Sequence, residues 1–290
     1  MRFGMINTST CVYGVIGYPI EHSLSPVLHN WFMSNYKLNA VYVAFNVHPS
    51  ELKNAIKGGS ALGVIGLNVT IPHKEALLGL VDEKDRDVKL VGAINTLELN
   101  AGKIQAHVTD PYGFTESLGQ RKYWFKNAEV LLLGAGGAAK SVVYALEKLD
   151  VKKIWIYNRS AQRLRAFLDF CHNALTVSKV QAIDRKQLND IAFDCKIIIN
   201  TTSAGMYPHT GESLLRSDVF HDAHFVYDLV YNPEKTKLLL DAEHKGATIQ
   251  NGIDMLIFQG LESLRIWTKQ PLRLEAPKLK KIRHILQSRL

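Results

Sequence analysis

Two polar runs in this chain carry side chains able to move a proton. Asn68-Val69-Thr70-Ile71-Pro72-His73-Lys74 sets a lysine just beyond Gly63 to Val69, an apolar stretch that reads as a strand. His107-Val108-Thr109-Asp110-Pro111 sets an aspartate after a second extended stretch. A lysine can hold a substrate oxygen and exchange a proton with it, and a carboxylate can orient that exchange. Spacing alone does not pair the two. For any one lysine a surface residue at a helix start is the commoner reading, and Asp110 reads also as the cap of a helix from about Tyr112 to Leu118. Because it precedes a proline, Asp110 is expected to be extended or turn-like rather than helical. Upstream, Glu21-His22-Ser23-Leu24-Ser25-Pro26 opens a helical segment over Val27 to Tyr36, with Ser25 as hydroxyl cap and Pro26 at the first helical position. The serine pair suits capping or the binding of a small carboxylate equally.

A second kind of chemistry is written in Val130 to Arg163. Val130-Leu131-Leu132-Leu133 is a short apolar run suited to a strand covered on both faces. Gly134-Ala135-Gly136-Gly137-Ala138-Ala139 follows, then a helix from Lys140 to Leu149 and a strand at Ile154-Trp155-Ile156-Tyr157. In such a unit the first glycine permits the tight turn and the second lets amides approach a pyrophosphate. A small residue at Ala139 lets the helix pack on the strand, and the helix N-terminus attracts the anion. An NAD site carries Asp or Glu at the end of the second strand, but this chain has Asn158-Arg159-Ser160, with Arg163 one helical turn on. Two guanidiniums and no carboxylate there favour a 2′-phosphate, hence NADP.

These groups have to be positioned by an α/β framework. Strands are expected at Val12 to Gly17, Val41 to Val47, Gly63 to Val69, Val177 to Ile183, Cys195 to Asn200 and Thr248 to Gln250, and Val226 to Pro233 repeats the strand-then-loop pattern of Cys195 to Met206. Paired hairpin strands are expected around Asn100-Ala101-Gly102. Helices are expected at Ser50 to Ile56, Glu75 to Val81, Arg185 to Asp190, Lys235 to His244 and Met255 to Trp267, where Met255 and Phe258 read as core. Asp82 to Lys89 reads only as a charged segment, and Thr201 to Met206 as a loop past a strand's carboxyl end. A chain of 290 residues exceeds what one core sustains, so two domains are expected.

Composition narrows the class. A hydrophobic fraction of 47% and a charged fraction of 21% fit a soluble globular protein, and no apolar run is long enough to span a membrane. Met1 to Thr10 lacks a signal-peptide layout. Cys11, Cys171 and Cys195 are few, odd in number and without C-x-x-C spacing, which implies a reducing cytoplasm and neither disulfides nor zinc. His22, His29 and His73 lack ligand spacing, so no metal is expected. The net charge of +8 sits mostly in the tail from Lys269, where seven cations face only Glu275. Leu279, Ile282, Ile285 and Leu286 recur there at helical spacing, so the tail reads as a docked amphipathic helix with a solvated basic face, not a nucleic-acid surface.

Taken in order, these segments resemble the shikimate dehydrogenase family over almost the whole chain, from about Tyr13 to Trp267. Ser23-Leu24-Ser25-Pro26 with His29-Asn30, Asn68 to Lys74, Gly92 to Leu97, Thr109-Asp110, the Gly134 turn, Asn158-Arg159-Ser160, Asn200 to Met206, Asp228 to Pro233 and Gln259-Gly260 carry the likeness. The resemblance implies an N-terminal α/β substrate domain, residues 1–115, completed by returning C-terminal helices, residues 253–290. Between them, residues 116–252 would form a Rossmann-like NADP domain, with the active site in the cleft. It implies that Ser23 and Ser25 hold the substrate carboxylate, and that Thr70, Asn95, Gln259 and Tyr231 contact the substrate. Lys74 and Asp110 would handle the reacting hydroxyl, with Lys74 transferring the proton. Cofactor contacts would come from Gly134, Ala135, Gly136, Gly137, Ala138, Asn158, Arg159, Ser160, Arg163, Thr201, Ser203, Met206, Leu229, Gly252 and Met255.

The implied activity is the reversible, NADP-dependent reduction of 3-dehydroshikimate to shikimate in aromatic amino-acid and chorismate biosynthesis. The enzyme would be a cytoplasmic monomer or homodimer with no nucleic-acid or membrane partner. One departure is Pro111, where the family commonly has glycine; it restricts Asp110 and raises a quinate- or shikimate-like substrate as the alternative. A non-catalytic metabolite sensor is the other alternative.

Overall fold

The computed structural model describes residues 6–100, 102–174 and 179–290, and the chain divides into two compact units. One unit comprises residues 1–113 and 256–289, the other residues 114–255.

In the first unit, β1 (Cys11–Gly17), α1 (Ser25–Asn35), β2 (Ala40–Asn46), α2 (Leu52–Ala61) and β3 (Val64–Val69) form a parallel β/α half, with β1 between its neighbours. After β4 (Glu83–Lys84) and α3 (Arg86–Val91), the hairpin of β5 (Thr96–Asn100) and β6 (Lys103–His107) adds antiparallel strands. The sheet order is β2-β1-β3-β5-β6-β4. Leu28, Phe32, Leu67, Leu97 and Leu264 are buried within this unit, each contributing roughly 1.5–3 kcal/mol by leaving water. Gly66 is dictated by packing: a Cβ there would lie 2.3 Å from Trp267 Nε1, which donates to Leu97 O at 2.9 Å.

Four local expectations fail in this unit. Helix α1 starts at Ser25 with Leu24 in the cap position and no side-chain cap; it is Ser23 Oγ that accepts from Ser25 N, at 3.3 Å. Helix α2 runs through Gly58-Gly59 to Ala61, because burial of Leu52 and Ile56 outweighs the low helix propensity of glycine. The charged segment at Asp82 to Lys89 contains α3, capped by Asp85, whose carboxylate accepts from Val88 N at 2.7 Å, and closed by Gly92 at φ 63°. Where a helix was expected over Glu75 to Val81 there is a single 3-10 turn, Ala76–Gly79.

The chain enters the second unit through α4 (Asp110–Leu118). Its helical start corrects the extended conformation expected for Asp110: Pro111 occupies the first turn, where a missing N–H leaves no bond unmade. The second unit contains β7 (Glu129–Leu133), α5 (Gly137–Lys148), β8 (Lys153–Tyr157), α6 (Ala161–Ala174), β9 (Val180–Ala182), α7 (Leu188–Asp194), β10 (Ile197–Asn200), β11 (Phe225–Asp228), α8 (Lys237–His244) and β12 (Thr248–Gln250). All its strand pairs are parallel, in the order β12-β11-β10-β7-β8-β9. Numbered within the unit this is 3-2-1-4-5-6, the doubly wound order whose switch point lies between β7 and β10. Residues 177 and 178, expected to begin a strand, lie outside the described residues, and β9 covers the end of that stretch. Helix α7 begins at Leu188 rather than Arg185, since the Asp184 carboxylate accepts from Lys186 N and Gln187 N and holds a turn.

The chain leaves the second unit within α9 (Ile253–Thr268) and ends in α10 (Ala276–Gln287). Helix α10 packs against α1 through buried Ile282 and Leu286, leaving Lys280, Lys281 and Arg289 exposed, as expected of a solvated basic face. Among the described residues no helix is long and apolar enough to cross a membrane.

Candidate active site

In the first unit the loop after β3 is built to present Lys74. Thr70 N donates to Ile16 O at 3.0 Å and His73 N to Thr70 O at 3.0 Å. The buried His73 ring donates through Nε2 to Val47 O at 2.8 Å, so this histidine anchors the loop. Ile94 N binds Lys74 O at 2.9 Å, which ties the loop to Asn95. Lys74 Nζ donates to Asp110 Oδ2. An ammonium has three protons, so this contact engages one and the others can meet a ligand oxygen.

Asn95 stands at the centre of the cluster and is 2% exposed. Its Nδ2 donates to Asp110 Oδ1 at 2.8 Å, Thr109 Oγ1 at 2.9 Å and Gln259 Oε1 at 3.2 Å, while its Oδ1 accepts from Thr109 N at 2.7 Å. Lys74, Asp110, Asn95 and Gln259 therefore belong to one hydrogen-bonded group. Thr70 follows β3, and Ser23 and Ser25 follow β1, the strand paired with β3; all three stand beyond the carboxyl ends of adjacent strands. Tyr231 belongs to the second unit.

The sequence reading missed the support beneath this group. Ser263, fully buried on α9, contacts Thr96 Oγ1 at 2.8 Å, accepts from Asn68 Nδ2 at 2.9 Å and donates to Gln259 O at 3.0 Å. Asn68 also donates to Asn95 O and accepts from Tyr42 Oη at 2.7 Å. The available signal was the small polar Ser263 beside Leu264, one helical turn from Gln259.

In the second unit, β7 ends at Leu133, and Gly134 turns the chain at φ 110°. A Cβ there would lie 2.5 Å from Thr201 Oγ1, so glycine is required. Gly136 caps α5 in an extended conformation with no side-chain cap, and a Cβ built on it would meet nothing within 4 Å. That open approach to the first amides of a 12-residue helix fits a pyrophosphate, with Ala135, Gly137 and Ala138 around it. At the tip of β8, Asn158 Nδ2 donates to Ser160 O at 2.9 Å and Ser160 Oγ accepts from Arg163 N at 3.3 Å, so Ser160 caps α6. Arg159 and Arg163 are both exposed there, a donor set that suits a 2′-phosphate. Thr201, Ser203 and Met206 follow β10, and Leu229 follows β11. Gly252 follows β12, and Met255 is buried in the first turn of α9.

Comparison with known proteins agrees with both halves. The chain matches the family models "Shikimate dehydrogenase substrate binding domain" over residues 15–97 and "Shikimate / quinate 5-dehydrogenase" over residues 117–229. It is 38% identical over 283 residues to shikimate dehydrogenase (NADP(+)) of Methanopyrus kandleri, covering 97% of this chain and 98% of that protein. A crystal structure of a shikimate dehydrogenase in complex with NADP+ superposes with a TM-score of 0.88 at 36% identity, covering 98% and 97% of the two chains. The Thermus thermophilus enzyme in complex with NADP(H) and shikimate gives 0.84 at 28% identity, covering 97% and 100%. Quinate dehydrogenase from Corynebacterium glutamicum in complex with NAD gives 0.86 at 28% identity, covering 96% and 99%. The chain belongs to the shikimate dehydrogenase family.

Proposed function

We propose that this protein is an NADP-dependent shikimate dehydrogenase that interconverts 3-dehydroshikimate and shikimate. The observation that carries the reading is the Lys74–Asp110–Asn95–Gln259 group: a lysine held by a buried carboxylate, beside neutral donors and acceptors suited to hydroxyls. A protein that only senses a metabolite has no need of an oriented ammonium.

The first unit then acts as substrate domain and the second as NADP domain. Ser23 and Ser25 hold the carboxylate, Thr70, Asn95 and Gln259 the ring hydroxyls, and Tyr231 is assigned to the substrate on motif resemblance alone. Held by the Gly134–Ala138 turn with Arg159 and Arg163, NADPH would supply the hydride that reduces the ketone carbon, C3. Lys74 gives a proton to the oxygen of that carbonyl and takes it back in the reverse direction. Asp110, fixed by Asn95, keeps the ammonium aimed, which adds orientation to acid–base catalysis. Arg159 and Arg163 select the 2′-phosphate. The reading includes a cytoplasmic enzyme, monomeric or homodimeric, and the free thiols of Cys11, Cys171 and Cys195 suit a reducing compartment.

The test is to mix purified protein with shikimate or quinate and with NADP or NAD, following absorbance of the reduced cofactor. Turnover fastest with shikimate and NADP is expected. A faster reaction with quinate would move the substrate assignment, and no signal in any arm would favour the sensor.

A further inference from the structure

Asp228, the last residue of β11, is fully buried, and three donors converge on its carboxylate. Asn200 Nδ2 reaches Oδ1 at 2.9 Å, Val230 N reaches Oδ1 at 3.0 Å and Thr236 Oγ1 reaches Oδ2 at 2.6 Å. Each donor belongs to a different segment. Asn200 ends β10, directly opposite Asp228 in the register, Val230 lies in the loop after β11, and Thr236 caps α8 by accepting from Leu239 N at 3.4 Å.

The contacts propagate outward. Asn200 Oδ1 accepts from Thr202 N at 3.0 Å and Thr202 Oγ1 at 2.7 Å, and Thr202 Oγ1 accepts from Ala204 N at 3.2 Å. Val230 O accepts from Gly252 N at 3.2 Å. One carboxylate thus sets the loop 201–204, the loop after β11 and the start of α9. In a doubly wound sheet, β7 and β8 serve the adenosine half of a dinucleotide and the strands across the switch point serve the other half.

We propose that Asp228, which touches no ligand itself, is a positioning residue for the nicotinamide half of the dinucleotide. Ionised, it holds the β10 and β11 loops in the receiving geometry, and on gaining a proton it releases them. The inference rests on the NADP reading above. Its physical basis is that three donors aimed at one carboxyl are satisfied by the carboxylate; a proton on Oδ2 would meet the Thr236 hydrogen head-on. Thr236 Oγ1 already accepts from Leu239 N, so taking a proton from Asp228 would use its second lone pair and turn its own hydrogen away from the carboxyl. Burial raises the Asp228 pKa to about 7, with Thr236, Val230 and Asn200 pulling it back. Among the described residues none of the groups acting on it is charged. β10 and β12 carry no charged side chain, and around α8 Lys235 pairs with Glu243 and Lys237 with Asp241.

The test measures binding rather than turnover: calorimetric titration of NADP, and of NAD as a ligand without a titrating 2′-phosphate, into the full chain between pH 6 and 8.5. Wild type is expected to bind both ligands about tenfold more tightly at pH 8 than at pH 6, with a midpoint near 7. Asp228→Asn keeps the shape but mimics the protonated form. It should bind about tenfold more weakly than wild type at pH 8 and lose the pH dependence. Thr236→Ser should restore wild-type behaviour, and Thr236→Val should move the midpoint upward, which keeps the test available if the asparagine variant does not fold. NADP binding by Asp228→Asn with the wild-type affinity and profile overturns this inference alone. No NADP binding by wild type at any pH overturns the cofactor reading and this inference with it.

Discussion

Lys74 and Asp110, 36 positions apart in sequence, form an ion pair in which the carboxylate is the more buried partner. Asp110 holds the ammonium through one oxygen and Asn95 through the other, so its orientation is fixed from two sides. If Lys74 is the proton-transfer group, Lys74→Ala should lower kcat by about 10²–10⁴-fold while shikimate KM moves far less. Steady-state kinetics with saturating NADP checks this, and near-normal turnover would remove Lys74 from the mechanism.

Ser263 supports the same cluster without belonging to it. Ser263→Ala removes one of three acceptors of Asn68 Nδ2 and a second donor from Gln259 O, at a cost of about 0.5–1.5 kcal/mol in stability. Shikimate KM should rise several-fold with NADP KM unchanged. Denaturant unfolding and kinetics together test it; equal rises in both constants would argue for general damage.

Arg159→Ala should raise NADP KM about ten- to a hundredfold, the loss of one charge-assisted contact, and leave NAD kinetics unchanged. If both cofactors suffer alike, Arg159 is not reading the 2′-phosphate.

A Cβ at Gly252 would lie 2.0 Å from Leu229 O. Gly252→Ala must therefore displace the loop after β11, and the expected result is a loss of dinucleotide affinity larger than any loss of shikimate affinity. Calorimetry with each ligand separates the two.

Two buried groups make opposite demands on pH. His29 is fully buried, its ring stacked on Tyr42 with centroids 4.2 Å apart. Burial lowers its pKa from 6.5 to about 3, against a smaller upward pull from Asn68. Below pH 6.5 the unfolded chain takes up a proton that native His29 refuses, so stability falls as pH falls, by about 1.4 kcal/mol per pH unit. Asp228, raised from 3.8 to about 7, keeps a proton in the native state that the unfolded chain has released. Its contribution to stability is full below the lower value and is lost as pH rises through the higher one. Between about pH 4 and 6.5 the two slopes oppose. His29→Phe should make stability fall with rising pH, and Asp228→Asn should make it fall with falling pH. Urea unfolding at four pH values would show it; slopes of the same sign in the two variants would refute the assignment.

How much of this was legible in the chain depends on the range of the interaction. The glycine turn at Gly134, the apolar runs of β7 and β10 and the docked tail helix are local patterns, and strand and helix periods expose them directly. The absence of a carboxylate near Arg159 is equally local. Short-range conflicts were harder: Pro111 argued against a helix at Asp110, yet the first turn accepts proline, and Gly58-Gly59 stay helical because α2 buries Leu52 and Ile56. The α3 helix was hidden by its charges, although Asp85 and Gly92 mark its two ends.

Residue types alone determined that a lysine, an aspartate and a glycine-rich turn were present at spacings suited to proton and hydride chemistry. Only the tertiary structure decided that Lys74 meets Asp110, that Asn95 joins Asp110 to Gln259 from 164 positions away, that Ser263 meets Thr96 and that Asp228 gathers Asn200, Val230 and Thr236. Those contacts follow from strand order and helix return. A buried polar side chain must find its partner wherever the fold brings one, and no periodicity along the chain records which partner that is.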